Sequence, residues 1–497
     1  MEGVAPLDWK LDNAIHLTVD EKPAVVWFTD HEFKVSALGL HGDAPDTVKL
    51  CTSLKHVLHG ELRADGSAHI ATLALKQKQH VVLWITGKPQ DGEKELVQAW
   101  MGRLMTAAGC IVPGRRIKVI VNPFGGQGKG KHIFEHRARP VFEAAKCFLD
   151  VTFTTHSGHA EEVAASLDVS AYDAIAIVSG DGVAYEVFNG LAKHKDALRA
   201  LRLPVAHVPA GSGNAFTVSL IGPKDCRDVA LAVLNAVKGR VVPLDIASIT
   251  QGNERRVTFL SQTMGLMADL DLGTENLRWM GDQRFIVGFV QGVLRMKHCP
   301  VKVWLKVAES DKQKIADVFR AHYTFNTDKS HADGTANGTA NGNASALEEE
   351  PAEGEGMPPL KWRDSDNDGW VEFPEKIIYL YGGMMPYVAR DFMQFPAAEM
   401  NDGCLDLVLQ TPAPRTTMLS SQDGAHSGKQ FWMPSQHYFK VHAYRAIPLA
   451  QKGNISIDGE RWPFLPFQVE VHKGLGRTLS MLGRWAGEGG CLTQEEK

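Results

Sequence analysis

Three clusters of small residues, each set just after an apolar run, carry the residue types that phosphate chemistry needs. The first reads Asn122-Pro123-Phe124-Gly125-Gly126-Gln127-Gly128-Lys129-Gly130-Lys131. Glycine reaches positive φ freely and lets backbone N–H groups approach phosphate oxygens, and a following helix N-terminus adds partial positive charge. Gly125, Gly130 and Lys131 fall at Walker A spacing, but His132 stands where Ser or Thr would meet magnesium, and the dinucleotide fingerprint is absent. The second cluster is Ser179-Gly180-Asp181-Gly182. A carboxylate between two glycines at the end of a strand can take a proton from an attacking hydroxyl or help hold a metal; the competing reading of an Asp-Gly pair is a plain turn. The third is Pro209-Ala210-Gly211-Ser212-Gly213-Asn214-Ala215. Three such clusters on one sheet edge make one phosphate-binding cleft.

The elements that must position these clusters follow from periodicity. From Arg116 to about Gly239, apolar strands at Ile117–Val121, Val151–Thr154, Ala174–Val178 and Val205–Val208 alternate with helical stretches such as Ala160–Leu167 and Ala184–Lys193. That alternation predicts a Rossmann-like parallel sheet with ligands at the carboxyl ends of its strands. After Val241, strand patterns dominate (Val257–Leu260, Val301–Val307, Ile377–Tyr381, Leu405–Leu409, Phe467–Val471), with one clear helix at Phe285–Lys297. Its apolar residues Phe285, Ile286, Phe289 and Val293 are placed to line an acyl-chain pocket, dock on a bilayer or pack in a core. Before Cys110, short alternating strands end in a helix, Glu95–Met101, in which Leu96, Trp100 and Leu104 share one face. Antiparallel strands capped by one helix with a buried Trp resemble a pleckstrin-homology (PH) domain; a small β-rich domain without a ligand fits the pattern equally. Lys76, Lys78 and His80 there read either as contacts for anionic headgroups or as a solvated edge.

The expected fold class is therefore an α/β nucleotide-binding domain plus a mostly-β C-terminal sandwich, preceded by a small β-rich PH-like domain. The expected boundaries are 1–112, 113–240 and 241–485. An insert at 327–360 repeats Gly-Thr-Ala-Asn-Gly and then turns acidic, which predicts disorder because it has almost nothing to bury.

Composition supplies exclusions. With 497 residues, 44% hydrophobic and 22% charged, the chain has ample material for cores. A formal charge of −5 gives no support to nucleic acid as a partner. The N-terminus has neither a basic region nor an apolar core like a secretion signal, and no apolar run reaches the roughly 18 residues of a membrane span. Seven scattered cysteines without CxxC spacing argue against a disulfide framework or a zinc site. The expectation is a cytoplasmic protein with peripheral association to intracellular or plasma membranes. Asp364, Asp366, Asp368, Gly369, Val371 and Glu375 match a calcium loop, but Pro358-Pro359 and Pro374 deny it flanking helices. Calcium is therefore not expected, and the segment reads as a turn entering a strand.

In combination, the motifs are specific. The order NPxGGxGKG, then SGDG with Glu186 and Asn189-Gly190-Leu191, then PAGSGNA resembles the diacylglycerol-kinase-type catalytic domain. Within that superfamily, SGDG with GSGNA is similar to sphingosine kinases, most nearly the fungal long-chain-base type. Gly265–Leu272, Arg278, Arg284, Asn401-Asp402-Gly403 and Ile457-Asp458-Gly459-Glu460 extend the match over roughly Arg116 to Gly483. The resemblance implies an ATP- and Mg2+-dependent kinase acting on the primary hydroxyl of sphingoid bases. By the same resemblance Asp181 is the general base. Asn122, Pro123, Gly125, Gly126, Gly128, Lys129, Gly130, Thr155, Ser179, Gly180, Gly182, Glu186, Gly211, Ser212 and Gly213 hold ATP. Arg278, Arg284, Gly459 and Glu460 complete that site, with Asp458 adding a nucleotide or magnesium contact. Asp271 meets the sphingoid head group, whose ammonium a desolvated carboxylate selects over a neutral lipid. Val183-Ala184-Tyr185 departs from the Leu-Met-His of the animal enzymes but leaves Asp181 and Glu186 in place. The alternatives are a diacylglycerol or ceramide kinase and a catalytically silent lipid-binding adaptor.

Overall fold

The computed structural model describes residues 13–37, 47–90, 92–110, 113–211, 213–273, 283–332, 356–362, 369–487 and 490–492. The chain divides into two units: Met1–Ile117 with His132–Asp150 and Asp228–Lys238, and Lys118–Lys131 with Val151–Arg227 and Gly239–Lys497.

In the first unit, period-two alternation builds seven strands: β1 (Ala14–Val19), β2 (Lys22–Phe28), β3 (Glu32–Ala37), β4 (Thr47–Ser53), β5 (Val57–Leu62), β6 (Ala68–Lys76) and β7 (Gln79–Pro89). They lie in the order β4-β3-β2-β1-β7-β6-β5. β1 meets β7 only at Leu17↔Pro89 and Thr18↔Lys88, so four strands and three strands form two halves. Helix α1 (Lys94–Ala107) follows. Trp100 is fully buried, its ring 5.5 Å from that of Phe28 and its Nε1 donating to the Asn13 carbonyl at 2.7 Å. This is the PH-like arrangement expected, with one correction: Val97, Trp100, Met101 and Leu104 form the buried stripe, and Leu96 is 55% exposed. At 100° per residue the stripe centres one position further along.

This unit also takes in the helix Val229–Lys238, which the strand–helix alternation alone assigns to the α/β region. Asp228 caps it by accepting from the N–H groups of Ala230 and Leu231, and accepts from His80 through both its backbone N–H and Nδ1, each at 2.8 Å. At the other end the half-buried Lys238 ammonium donates to the carbonyls of Lys55, Val57 and Ala108.

In the second unit, β8 (Arg116–Val121), β9 (Phe148–Phe153), β10 (Ala174–Ser179) and β11 (Val205–Pro209) lie in the order β9-β8-β10-β11, with β10 and β11 parallel from Ile175↔Val205 to Ser179↔Pro209. The chain steps from β8 out to β9 and then across to β10, so the order reverses between β8 and β10. Such a switch point opens a crevice at the carboxyl ends of the strands. Helices α2 (His159–Ala165), α3 (Asp181–Lys193) and α4 (Ala215–Ile221) begin at that edge.

The β-rich half comprises β12 (Arg240–Gln251), β13 (Glu254–Thr258), β14 (Ser261–Gly265), β15 (Val301–Glu309), β16 (Val371–Glu372), β17 (Tyr379–Gly383), β18 (Tyr387–Ala389), β19 (Phe392–Met393), β20 (Leu405–Gln410), β21 (Gln436–Pro448), β22 (Ile455–Ile457), β23 (Glu460–Trp462) and β24 (Phe467–Ser480). Helices α5 (Leu266–Gly273), α6 (Gln283–Arg295) and α7 (Lys312–Ala332) interrupt it. The boundary expected near residue 240 is crossed by hydrogen bonds. β24 pairs antiparallel with β12 and β21 and parallel with β11 through Val205↔Thr478, where the Thr478 hydroxyl donates to the Val205 carbonyl at 2.8 Å.

Within the expected insert, α7 runs to Ala332, whereas 333–355 and 363–368 lie outside the described residues. That range takes in most of the expected disorder and Asp364, Asp366 and Asp368 of the calcium-like loop. The intervening 356–362 is held by Arg255 donating to the Pro358 carbonyl at 2.6 Å and by Glu470 accepting from Lys361 and Trp362 N–H. Downstream, Val371 pairs with Leu305, so a strand stands where a calcium hand needs its second helix. No helix among the described residues is long and apolar enough to cross a membrane.

His472 on β24 tests how this sheet responds to acid. Its Nε2 lies 2.8 Å from the Ser248 hydroxyl on β12, and burial, aided by the Arg255 and Lys361 cations, pushes its pKa down to about 4. The unfolded chain binds that proton near the ordinary histidine value of about 6.5, so stability is full above it and falls as pH drops toward 4. The loss attributable to His472 is roughly 3 kcal/mol. Thermal unfolding between pH 7 and 4 is expected to show it, and His472→Asn to flatten the slope; an identical slope in that variant would exclude His472 as the cause.

Candidate active site

Backbone packing ties the three glycine clusters together. Asn122, the residue after β8, donates its N–H to Val178 on β10 at 3.1 Å, and its side-chain oxygen accepts from Phe124 N–H at 3.0 Å. Pro123 carries the chain into Gly125–Gly128, which is a single helical turn and not an open loop, with Gly126 at φ +58° and Gly128 at +79°. A Cβ on Gly130 would stand 2.0 Å from the Asn122 carbonyl oxygen, and one on Gly125 3.0 Å from that of Ala210. Lys129 and Lys131 are exposed on this turn. The closest approach joins the other two clusters: a Cβ on Gly211 would lie 2.3 Å from Gly180 Cα, and one on Gly180 2.8 Å from the Gly213 oxygen. The Ser179 carbonyl accepts from Ala210 N–H at 2.9 Å.

Asp181 begins α3 and is bound at both ends. Its N–H donates to Gly213 at 3.3 Å, and its carboxylate accepts from the N–H groups of Ala215 (2.8 Å) and Phe216 (3.1 Å), the first turn of α4. A carboxylate satisfies two orphan N–H groups there and opposes the helix dipole. Beneath it, His207 on β11 is buried, its Nδ1 2.6 Å from the Thr217 hydroxyl on α4. Burial pushes its pKa down, against the pull of the Asp181 charge. The motifs do not point to His207; its place is visible only once β11 and α4 are paired.

Glu186, one turn further along α3, accepts from Gly158 N–H (2.9 Å) and Ala160 N–H (3.1 Å) and so caps α2. Thr155 lies in the turn after β9, donating its N–H to His159 Nδ1 at 3.1 Å. These elements border an open cleft of about 350 Å³, whose lining includes Gly158, Tyr185, Glu186, Arg256 and Glu460. Burial pushes the Tyr185 hydroxyl up to about 12, so it is a neutral phenol, and the Arg256 guanidinium sits 5.3 Å from its ring while paired with Glu161.

The β22–β23 turn is anchored by a buried carboxylate. Asp458 is buried and its carboxylate accepts from the Thr258 hydroxyl and from the N–H groups of Phe259, Leu260 and Ser261 at 2.7–3.0 Å. It ties that turn to the Thr258–Ser261 segment, and burial raises its pKa to about 6. Its neighbours remain at the cleft: Gly459 takes φ +87°, and Glu460 Oε1 is 3.4 Å from where a Cβ on Gly182 would stand. On the same hairpin, the Ser456 hydroxyl donates to Asp271 on α5. Ser212 and Arg278 lie outside the described residues, and Arg284 is described only by its backbone within α6.

Next to Asp271, Leu266, Met267 and Leu270 of α5 pack in an apolar cluster with Phe289 and Val293 of α6 and with Tyr379, Tyr381 and Phe395. Half of the α6 stripe is therefore core, while Leu294 is 59% exposed; the side chains of Phe285 and Ile286 lie outside the described residues.

The site is thus a glycine-walled crevice at the switch point of a parallel sheet, joined through β24 to a β-rich half. Residues 116–249 match the diacylglycerol kinase catalytic domain family. A solved structure of a Bacillus anthracis protein assigned as a diacylglycerol kinase superposes with a TM-score of 0.50 at 17% identity, over 74% of this chain and 97% of that one. The chain is 32% identical to sphingoid long chain base kinase 4 of Schizosaccharomyces pombe over 371 residues, 74% of this chain and 75% of that protein. It is 33% identical to sphingosine kinase 1 of Arabidopsis thaliana, over 70% of this chain and 68% of that protein. The chain belongs to the sphingoid long-chain base kinase family. It is thus a lipid kinase, transferring phosphate to a hydroxyl, and the family uses ATP.

The contact between Gly180 and Gly211 is backbone against backbone, so no side-chain rotation relieves a methyl group there. Gly211→Ala is expected to lower the melting temperature by several degrees and to cut turnover at least about a hundred-fold. Calorimetry with a kinase assay checks it; a variant with wild-type values would show that the two loops are not held in this register.

Proposed function

We propose that the protein transfers the γ-phosphoryl group of ATP to the primary hydroxyl of a sphingoid long-chain base, such as sphingosine, dihydrosphingosine or phytosphingosine. One observation carries the reading beyond family membership. The short β22–β23 hairpin touches Asp271 through Ser456 and flanks Gly182, beside Asp181, through Glu460. A carboxylate at the edge of an apolar cluster suits an ammonium-bearing amphiphile, and the same hairpin links it to the carboxylate proposed as base.

The cradle fits a nucleotide phosphate. Gly125, Gly130, Gly180 and Gly211 leave backbone where a Cβ has no room, and α3 begins at that edge with its N–H groups and dipole. Asn122, Pro123, Gly126, Gly128, Lys129, Ser179, Gly182 and Gly213, with Ser212, Arg278 and Arg284, complete the proposed phosphate contacts, and Thr155, Gly459 and Glu460 border the nucleotide. Glu186 contributes by capping α2 and so fixing the Gly158 turn in the cleft wall. Magnesium, if bound, would be held at the phosphates by Asp181 and Glu460, the carboxylates nearest the glycine cradle. When bound, the metal nucleotide supplies the phosphoryl group and part of its charge neutralisation.

The protein's own work is positioning and proton transfer. The α4 amides hold each Asp181 oxygen by one lone pair, which leaves the other lone pairs to accept the substrate hydroxyl proton. Asp271 orients the head group so that this hydroxyl meets the base. Contact with the lipid is peripheral: the protein docks on a membrane surface without spanning it.

Asp181→Asn is expected to reduce kcat at least about a hundred-fold while ATP affinity stays within a few-fold. Because the amide replaces one accepting oxygen by a donor, the melting point drops too, but by far less than turnover; normal turnover would remove Asp181 as the base. Asp271→Asn is expected to raise KM for the sphingoid base and to leave that for ATP unchanged, and an unaltered lipid KM would sink the head-group assignment. A kinase assay presenting sphingoid bases, diacylglycerol and ceramide together separates the substrate classes: diacylglycerol or ceramide as the preferred acceptor would overturn the proposal, and absence of turnover on all three would favour the silent adaptor.

A further inference from the structure

The β6–β7 hairpin of the first unit has a composition unlike the rest of the chain. From Gly66 to Gln90 it carries Lys76, Lys78 and Lys88 and no Asp or Glu, in a protein with 58 acidic residues and a net charge of −5. Its tip turns through Gln77 and Lys78, both at positive φ (+49° and +68°). Register places Lys76, Val81 and Leu83 on one face, through the pairs Lys76↔Gln79, Ala74↔Val81 and Thr72↔Leu83. Val81 is 42% exposed, Leu83 39%, and Leu75, on the other face at the tip, 67%. Large apolar side chains this exposed, on the same hairpin as lysines that no carboxylate among the described residues pairs, are unusual for a strand edge facing water. Among the described residues, the carboxylates that bond the hairpin are Asp65, which accepts from Ser67 at its base, and Asp228, which accepts from His80 on the face opposite Lys76, Val81 and Leu83. That face therefore keeps its positive charge.

We infer that this face of the β6–β7 hairpin is a docking surface for an anionic lipid bilayer. Lys76 and Lys78 meet the acidic headgroups while Val81 and Leu83 enter the headgroup–acyl boundary. Charge complementarity selects this occupant: the patch is locally cationic on a globally anionic protein, so it turns this face toward a negative surface while the remainder is repelled. The inference rests on the peripheral membrane contact proposed above and specifies the surface that makes it. Basic residues near an anionic leaflet act within about a Debye length, and each contributes on the order of a five-fold gain in binding. Exposed apolar side chains add a salt-insensitive part.

The test is co-sedimentation of the full chain with phosphatidylcholine vesicles, with and without phosphatidylserine. Wild type is expected to bind only the vesicles containing phosphatidylserine, and less as salt rises. The double variant Lys76→Glu/Lys78→Glu is expected to bind them more than about 25-fold more weakly. Val81→Thr/Leu83→Thr, which keeps β-branched or strand-compatible residues at exposed positions, is expected to lose the binding that persists at high salt. Both variants should phosphorylate detergent-dispersed sphingoid base at the wild-type rate, which shows that they are folded. Wild-type binding retained by both variants would overturn the hairpin as the docking surface and leave peripheral contact standing. Equal binding to phosphatidylcholine alone would overturn the electrostatic selection. Failure of the wild type to sediment with either vesicle would overturn the peripheral contact itself.

Discussion

The two hydrogen bonds from the first turn of α4 to the Asp181 carboxylate constrain the whole crevice. They require the segment after β10 and the segment after β11 to approach within backbone distance, and glycine at 180 and 211 is what permits it. A side chain at either position would drive the loops apart, open the N–H cradle and turn the carboxylate out of line. A group suited to proton transfer is here also a structural cap, so its orientation does not rest on its own rotamer alone. Preorganisation of this kind is where catalytic electrostatics gains most, because no dipole has to reorganise during the reaction.

The same economy recurs around the cleft. Glu186 and Asp458 are carboxylates in motif positions, yet each is occupied by N–H groups of an adjacent turn. Glu186 thereby fixes the Gly158 turn, and Asp458 ties the turn carrying Gly459 and Glu460 to Phe259–Ser261. Asp458 is costly to bury, and the four hydrogen bonds it accepts offset that cost. The third device is β24: by pairing with β12 along one edge and with β21 and then β11 along the other, it makes the α/β and β-rich halves share one sheet. Asp271, bonded to Ser456 in the β-rich half, is thereby tied to the sheet that carries the glycine clusters.

Much was legible beforehand. The strands after which the glycine clusters fall, the alternation that makes the sheet parallel, the helix carrying Trp100 and the β-rich second half all follow from local periodicity. What escaped was of three kinds. Leu96 is exposed because a stripe of four apolar residues on a short helix leaves its centre ambiguous by one position. The helix Val229–Lys238 joins the first unit through Asp228–His80 and through Lys238, and those partners lie more than a hundred residues away. His207 was invisible because a lone histidine in an apolar strand carries no motif.

By itself the sequence determined which residues could do the chemistry: glycines that free backbone N–H groups, a carboxylate between two of them, and their order along the chain. Those properties are local, set by φ preferences, side-chain charge and spacing. The tertiary structure alone decided which backbone N–H groups each carboxylate holds: those of α4 for Asp181, of α2 for Glu186 and of Phe259–Ser261 for Asp458. It also decided that Ser456 and Glu460 would join Asp271 to Gly182. A hydrogen bond between residues tens or hundreds of positions apart leaves no mark on local pattern, because its geometry exists only once the sheet has brought the two segments together.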